Sequence, residues 1–571
     1  MKKMFVYMRR YWFIAMLAPI TMIAEVFIDL QLPNLMSKIV DDGVLKGNLE
    51  LVIRTGILMI FLSIIGGLSG ILAAAFGSIA SQSFGNDVRC DTYKRVMSLS
   101  PEQTDKFTTG SLVTRITNDI QQVQQFMNFL LRMFVRSPMF FIGGIIMMVG
   151  MDLSFATVVA ISLPIMLIGI TLIVIKTNPM FRVVQEKLDK LNSVVMENVT
   201  GARVVKAYVK EEHETERFDR ANTDLCATNL RVQFILALMG PIIMIVMNIS
   251  VIAIIYIGGL QVEAQALKVG DVMAAVTYVT QILHSVMMIT MMFQMISRAS
   301  ASAGRISEVL DTEPVIKGGD KVLEGEINEI EFRDVSFRYP GTSGDNILAD
   351  VDFKLHKGET AAILGSTGSG KTTLVALIAR YYDVCSGEIL INGVNVKEYT
   401  LDSLRKKIGY VLQKSELFSG TIEENIKWGD ETATLEQVRE CAGIAQADDF
   451  IMGFNDDYNT VIGEKGASLS GGQKQRISIA RSIMKKPEVL IFDDSTSALD
   501  LGTESRLHAA LRENLSDTTV IMIAQRIASV RNCDRIFVLD GGRIVGSGTH
   551  DELLRDNEVY IDIYNSQLSK E

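Results

Sequence analysis

Six stretches of almost unbroken apolar sequence occupy the first 300 residues, at roughly 13–32, 52–77, 134–151, 154–175, 234–258 and 269–295. A helix needs about 20 apolar residues to cross the hydrocarbon core of a bilayer, so six membrane helices are predicted. Basic residues set their orientation. Lys2, Lys3, Arg9 and Arg10 precede the first stretch, and Arg298 and Arg305 follow the sixth. Arg89, Lys94, Arg95, Lys106 and Arg115 lie between the second and third; Lys176, Arg182, Lys187, Lys190, Arg203 and Lys206 lie between the fourth and fifth. The other connections are short and nearly free of basic residues. Both termini and both long loops are therefore expected in the cytosol of a multi-pass plasma-membrane protein.

The opening MKKMFVYMRRYWFIAMLAPI is basic and then apolar, as a signal peptide is. No clean small-x-small cleavage site follows, and Glu25 and Asp29 interrupt the run, so a retained first helix behind a basic amphipathic elbow is expected. The two long loops are polar yet helix-patterned. Each reads as a membrane helix that continues into the cytosol, turns and returns, with turns expected near 108–122 and 207–218. Glu25 and Asp29 stand four apart, on one helix face. Intramembrane carboxylates are costly and usually face a polar cavity. Two readings stay open: a cation-attracting patch in a substrate path, or a pair satisfied internally or at the headgroup edge. His284 is expected to be a satisfied buried histidine, and the many methionines to be packing.

A chain of 571 residues exceeds one core. Beyond about residue 325 the apolar residues fall into short strand-like runs between Gly, Asp and Lys clusters. The expected division is a membrane domain over 1–310, a linker over 311–326 and a second domain over 327–571. A net charge of −10 argues against a nucleic-acid partner. Cys90, Cys226, Cys385, Cys441 and Cys533 show no metal-ligand or redox spacing and read as free thiols.

The second half carries the chemistry. GSTGSGKT (Gly365, Ser366, Thr367, Gly368, Ser369, Gly370, Lys371, Thr372), followed by Thr373, lies between an apolar strand and a helical run. This is the phosphate-loop pattern in its proper context. Glycines let backbone N–H groups close around phosphate oxygens at a helix N-terminus. Lys371 is expected to reach the β- and γ-phosphates of ATP, and the Thr372 hydroxyl to ligate Mg²⁺. About 120 residues on, VLIFDD ends a strand at Asp493, a second Mg²⁺ contact.

LSGGQKQR, at Leu469 to Arg476, narrows the field. With it the chain resembles the ABC transporters along its whole length. The resemblance implies an all-α membrane domain of six helices with long cytosolic extensions. Fused to it is an α/β P-loop NTPase domain with an antiparallel β subdomain and a helical signature subdomain. Tyr339 matches the aromatic that stacks on adenine, and Gln413 the glutamine linking the metal site to the membrane domain. GEKG at 463–466 resembles the loop that touches coupling helices, and SALD, ending at Asp500, the segment crossing to a second subunit. In the family, Ser470, Gly471, Gly472 and Gln473 of one subunit cap the ATP held by the other, so a dimer is implied.

Two positions depart from the family pattern. Asp494 stands where a glutamate acts on the attacking water, and Gln525 where a histidine is usual. Both belong to the site built on this chain's own phosphate loop. The expectation is one half of a heterodimeric exporter of an amphipathic, drug-like or lipid substrate. Its own site is expected to be hydrolytically impaired, with a partner chain carrying the usual Glu and His. The alternatives are a homodimer using Asp494 as base, or an ATP-gated channel or regulatory module. Alternating access by rigid-body rocking is the implied mechanism.

Overall fold

The computed structural model describes residues 1–342 and 344–568. They divide into two compact units, one of Met1–Met97 with Gly110–Asp311 and one of Ser98–Thr109 with Thr312–Glu571.

The first unit is all helix. Six helices are long and apolar enough to cross a membrane, namely Lys3–Val44, Leu49–Ser98, Thr109–Met151, Leu153–Thr200, Glu211–Glu263 and one from Val269. The helix Leu49–Ser98 has 50 residues. At 1.5 Å per residue it is about 75 Å long, well over twice the hydrocarbon thickness. Long extensions beyond the apolar spans were expected, and this length supplies them. On that helix Ile57, Ile60, Phe61, Ile64, Leu68 and Ile71 are each more than half exposed. Such a stripe at helical spacing suits lipid, whereas a water-soluble surface rarely carries one. Where helices meet, small residues let them close: a Cβ on Gly144 would stand 2.7 Å from Ile282. The far ends of the first and sixth spanning helices are tied by polar contacts. Gly270 N donates to Asp41 Oδ1 at 2.7 Å, and Ser37 Oγ donates to Asp271 Oδ1 at 3.0 Å.

Both turns between the long helices come earlier in the chain than expected. The helix Leu49–Ser98 ends, and a short helix Pro101–Phe107 starts on a reciprocal cap between Ser100 and Gln103. Thr108, at φ +61°, closes that turn, so 110–122 already belongs to the returning helix. In the second loop the break runs from Gly201 to Lys210, with Val209 at φ +53°. Glu211, Glu212 and Glu214 lie in the first turn of the next helix, where acidic side chains suit the helix dipole.

The second unit is built on a six-stranded sheet in the spatial order Arg543–Gly548, Arg535–Asp540, Thr360–Gly365, Thr519–Ala524, Val489–Asp493, Ile408–Val411. All neighbours are parallel except the Arg543–Gly548 edge. Both faces are buried, and alternate residues divide between two cores. Ala362, Leu364, Leu490, Phe492, Val520 and Met522 face a core that includes Ile477, Ile479 and Ile483 of the helix Gly471–Met484. Ala361, Ile363, Val489, Ile491, Ile521 and Ile523 face the other, shared with an antiparallel four-stranded sheet. That sheet runs Leu348–His356, Glu329–Phe337, Ser386–Ile391, Val394–Asn395. The implied β subdomain and helical subdomain are both present. Within this unit the Ser98–Thr109 segment is held by Gln103, which donates to Glu313 O at 2.7 Å and accepts from Val315 N at 3.2 Å.

Phe353 joins the sheets. Its ring stacks on Phe332 at 4.3 Å and lies 4.8 Å from Phe537 of the six-stranded sheet. Phe353→Ala removes both contacts and is expected to cost about 3–5 kcal/mol. In a thermal melt of the purified chain this appears as an earlier unfolding transition, checked by near-UV circular dichroism.

Candidate nucleotide site

The strand Thr360–Gly365 sits inside the sheet and ends where a side chain has no room. A Cβ on Gly365 would stand 2.1 Å from Leu539 O. The loop then turns through Gly368 at φ +86° and Gly370 at φ +101°, backbone that L side chains rarely adopt. It feeds the helix Lys371–Ile378. Lys371 is 8 % exposed, and its Nζ donates to Gly365 O at 2.8 Å and Ser366 O at 2.6 Å. Burial pulls its ammonium below the usual lysine range, opposed by Asp494 and Asp493. The ammonium is thus fixed at the mouth of the loop.

Two strand ends complete the site. Thr372 Oγ1 donates to Asp493 Oδ1 at 2.7 Å, and Tyr410 OH donates to Asp493 Oδ2 at 3.1 Å. Burial pushes the Asp493 carboxyl up, while those two hydrogen bonds pull it down. Asp494 takes φ +48°, which a short polar side chain tolerates better than most. Its Oδ2 accepts from Gln413 Nε2 at 3.1 Å and from Gln525 Nε2 at 2.8 Å. Residues from four separate parts of the sequence therefore meet at one point. Tyr339 packs edge-on against Phe337 at 5.1 Å and Tyr382 at 5.2 Å. Its hydroxyl is hydrogen-bonded to Thr373 Oγ1 at 3.0 Å, which fixes the ring beside the loop.

The signature residues sit elsewhere. Ser470 caps the helix Gly471–Met484, accepting from Gln473 N at 3.3 Å, and Gln473 Oε1 accepts from Ser470 N at 2.9 Å. Gly472 packs on the segment after Asp494, where a Cβ would stand 3.2 Å from Ala498 O. Among the described residues no hydrogen bond joins Ser470, Gly471, Gly472 or Gln473 to this chain's phosphate loop. The exposed end of that helix is free to serve a second cassette.

Two contributors escaped the sequence reading. Tyr410 is one, since nothing in GYVLQ marks its hydroxyl as a partner of Asp493. Glu504 is the other: 5 % exposed, it accepts from Thr496 and Ser529 at 2.8 Å each. It thereby ties the segment after Asp494 to the one after Gln525. Its place in the first turn after SALD is the only local signal.

For a divalent cation, the described residues offer no cluster of three His, Cys, Asp or Glu. The Thr372 hydroxyl and Asp493 carboxylate are hard oxygen donors already side by side, and a Mg²⁺ that takes its other ligands from phosphate and water fits them.

In the membrane unit the question over the two carboxylates has an answer. Arg136 Nη1 lies 2.9 Å from Glu25 Oε1, so Glu25 is paired internally. Arg136 Nη2 is 3.9 Å from Asp29 Oδ2, an ion pair without a hydrogen bond. His284 is exposed, contrary to expectation, because it lines a cavity of about 590 Å³. The five cysteines are free, as expected.

A strand, a glycine-rich loop and a helix N-terminus, with an aspartate at a strand end one place removed, define a P-loop ATPase; six spanning helices on the same chain make it a membrane one. Residues 15–286 match the ABC transporter transmembrane region, and residues 348–497 match the ABC transporter ATP-binding family. An uncharacterized ABC transporter ATP-binding protein of Bacillus subtilis (strain 168) is 38% identical over 100% of this chain and 99% of its own length. A probable multidrug resistance ABC transporter ATP-binding/permease protein of the same organism is 36% identical over 83% of this chain and 81% of its own. An ATP-dependent lipid A-core flippase of Syntrophus aciditrophicus (strain SB) is 32% identical over 94% and 89%. The solved structure of a bacterial Atm1-family ABC exporter with ATP bound superposes at a TM-score of 0.80, with 26% identity, over 98% of each chain. The chain belongs to the ABC transporter family, and it is an ATP-driven exporter.

The Tyr410 hydrogen bond is one of two that orient Asp493. Losing about 1 kcal/mol there in Tyr410→Phe is expected to raise the Mg²⁺ needed for half-maximal nucleotide binding about fivefold. A Mg²⁺ titration with a fluorescent ATP analogue checks this, and binding in EDTA serves as the unaffected reference.

Proposed function

We propose that this chain is one half of a heterodimeric exporter of an amphipathic, drug-like or lipid substrate, and that its own ATP site binds nucleotide but hydrolyses it poorly. The observation that carries this reading is the Asp494 carboxylate, whose Oδ2 accepts both the Gln413 and the Gln525 amides. An aspartate is one methylene shorter than the glutamate usual at this place. A misplacement of about 1 Å in a positioned group costs about a hundredfold in rate. Gln525 donates a hydrogen bond but has no protonated form near neutrality, so it offers a γ-phosphate no cationic charge. Both departures weaken the same site, while LSGGQ, which serves a partner's site, keeps the family pattern.

The roles follow from the placement. Tyr339 offers a ring to adenine. The backbone of Gly365, Ser366, Thr367, Gly368, Ser369 and Gly370 donates to phosphate oxygens, and Lys371 neutralises them. Thr372 and Asp493 would hold a magnesium ion, with Gln413 as a further candidate ligand, and the ion would supply charge neutralisation at the phosphates. Thr373 orients Tyr339 through its hydroxyl. Ser470, Gly471, Gly472 and Gln473 present their helix N-terminus to the ATP of the second subunit. Closure of two cassettes on ATP drives alternating access, and the work at the phosphoryl group is positioning and charge neutralisation. Both termini lie in the cytosol and the membrane is the plasma membrane. The multidrug and flippase relatives support an amphipathic cargo.

ATP turnover by the purified chain in lipid nanodiscs tests the reading. Alone, the native chain is expected to be nearly silent, and Asp494→Glu with Gln525→His to raise turnover about tenfold or more. Brisk hydrolysis by the native chain without a partner overturns it in favour of a homodimer with Asp494 as base.

A further inference from the structure

The cavity on the membrane unit has an uneven charge balance. Glu25, Asp29 and Arg136 together carry one net negative charge, and the pairing decides where it resides. Arg136 is committed to Glu25 at 2.9 Å. Glu25 is packed away, its side chain 12% exposed and its Oε2 2.8 Å from where a Cβ on Gly70 would stand. The Arg136 guanidinium also lies over the Phe140 ring at 5.5 Å. Asp29 has only the 3.9 Å approach of Arg136, and its side chain is 33% exposed into the cavity of about 590 Å³. The surplus charge therefore sits on Asp29, at the cavity wall.

The rest of the lining fits one kind of guest. Met133, Phe140 and Met247 make an apolar, polarizable wall. Gln281 also lines the cavity, and among the described residues its Oε1 is buried without a hydrogen-bond partner. The Asp29 carboxylate, which accepts no hydrogen bond from Arg136, and the Gln281 carbonyl are both acceptors, and a buried acceptor left unmade costs free energy. A cationic head satisfies them, whereas an anionic one meets repulsion from Asp29, and the Arg136 guanidinium on the same wall is committed to Glu25.

We propose that this cavity is a subsite for the positively charged head of an amphipathic cation, with Asp29 as its counter-ion and Gln281 as a second acceptor. The inference rests on the exporter reading for its purpose, since a bound cation here would be cargo. The binding itself is independent of ATP.

Two ions of the same shape and opposite charge, tetraphenylphosphonium and tetraphenylborate, test it by equilibrium dialysis against the full chain in uncharged-lipid nanodiscs. The cation is expected to bind saturably, and Asp29→Asn to weaken it about tenfold or more. Asp29→Glu restores binding. Asp29→Lys is expected to lose the cation and gain the borate, a gain that a misfolded protein cannot produce. Competition by a dialkyldimethylammonium lipid in the discs assigns the cation to the bilayer; its failure to compete assigns a soluble amphipath. Equal binding of both ions, or an unchanged constant in Asp29→Asn, overturns the proposal. The two readings fail separately. Loss of the subsite leaves ATP turnover as measured, and brisk turnover by the native chain leaves the ion selectivity standing.

Discussion

Thr372 donates to Asp493 across 2.7 Å because two parallel strands, separated by Thr519–Ala524, end at the same level of one sheet. The register that sets this is fixed by buried faces. Shifting either strand by one residue would exchange its two apolar sets between cores that differ in shape. With that register in place, the phosphate loop, Asp493 and Asp494 have no choice of position. Gln413 follows the strand Ile408–Val411 beside Val489–Asp493, and Gln525 follows Thr519–Ala524. Ligands in open α/β sheets gather at the carboxyl ends of strands for this reason. The site is a consequence of how the sheet is packed.

The cassette was legible where one residue type answers one physical demand. Gly370 at φ +101° and Gly365 against Leu539 O admit little else, so the loop announces itself in sequence. The six spans were legible because hydrocarbon sets a length. What stayed hidden were partnerships between distant residues. Arg136 lies inside the third apolar stretch, and one arginine barely lowers the hydropathy of such a window. Its pairing with Glu25, more than a hundred residues earlier, has no local trace. The same holds for Tyr410 with Asp493 and Glu504 with Ser529. The misplaced turns are different. Ser100, Pro101 and Gln103 form a capping box that was readable, and the acidic run Glu211, Glu212, Glu214 marks a helix start.

Burying a charge is costly in the membrane unit as in the cassette, and at Glu25 an opposite charge offsets that cost. In the Glu25–Arg136 pair Glu25 is the shielded partner, and removing Arg136 would strand its carboxylate. That pair is structural in character. Asp29 differs by a single helical turn and by one ångström of separation, yet those suffice to leave its carboxylate facing a cavity. Two carboxylates four residues apart thus have different surroundings because, among the described residues, one guanidinium is shared between them.

The same shortage operates at Asp494. In a site that turns over, the group beside the attacking water accepts a proton and the switch side chain offers charge to the γ-phosphate. Here one carboxylate oxygen accepts two neutral amides, from Gln413 and Gln525. Amide donors hold the carboxylate in place but bring no positive charge. Under the proposed function this arrangement grips a nucleotide but does little to stabilise charge that develops on transfer. The glutamate-to-aspartate and histidine-to-glutamine exchanges act in the same direction on the same oxygen atoms. A cassette altered in this way keeps its fold, its phosphate loop and its signature helix intact. On the proposed reading the loss falls on its own site's chemistry, while the Ser470–Gln473 segment keeps the family pattern.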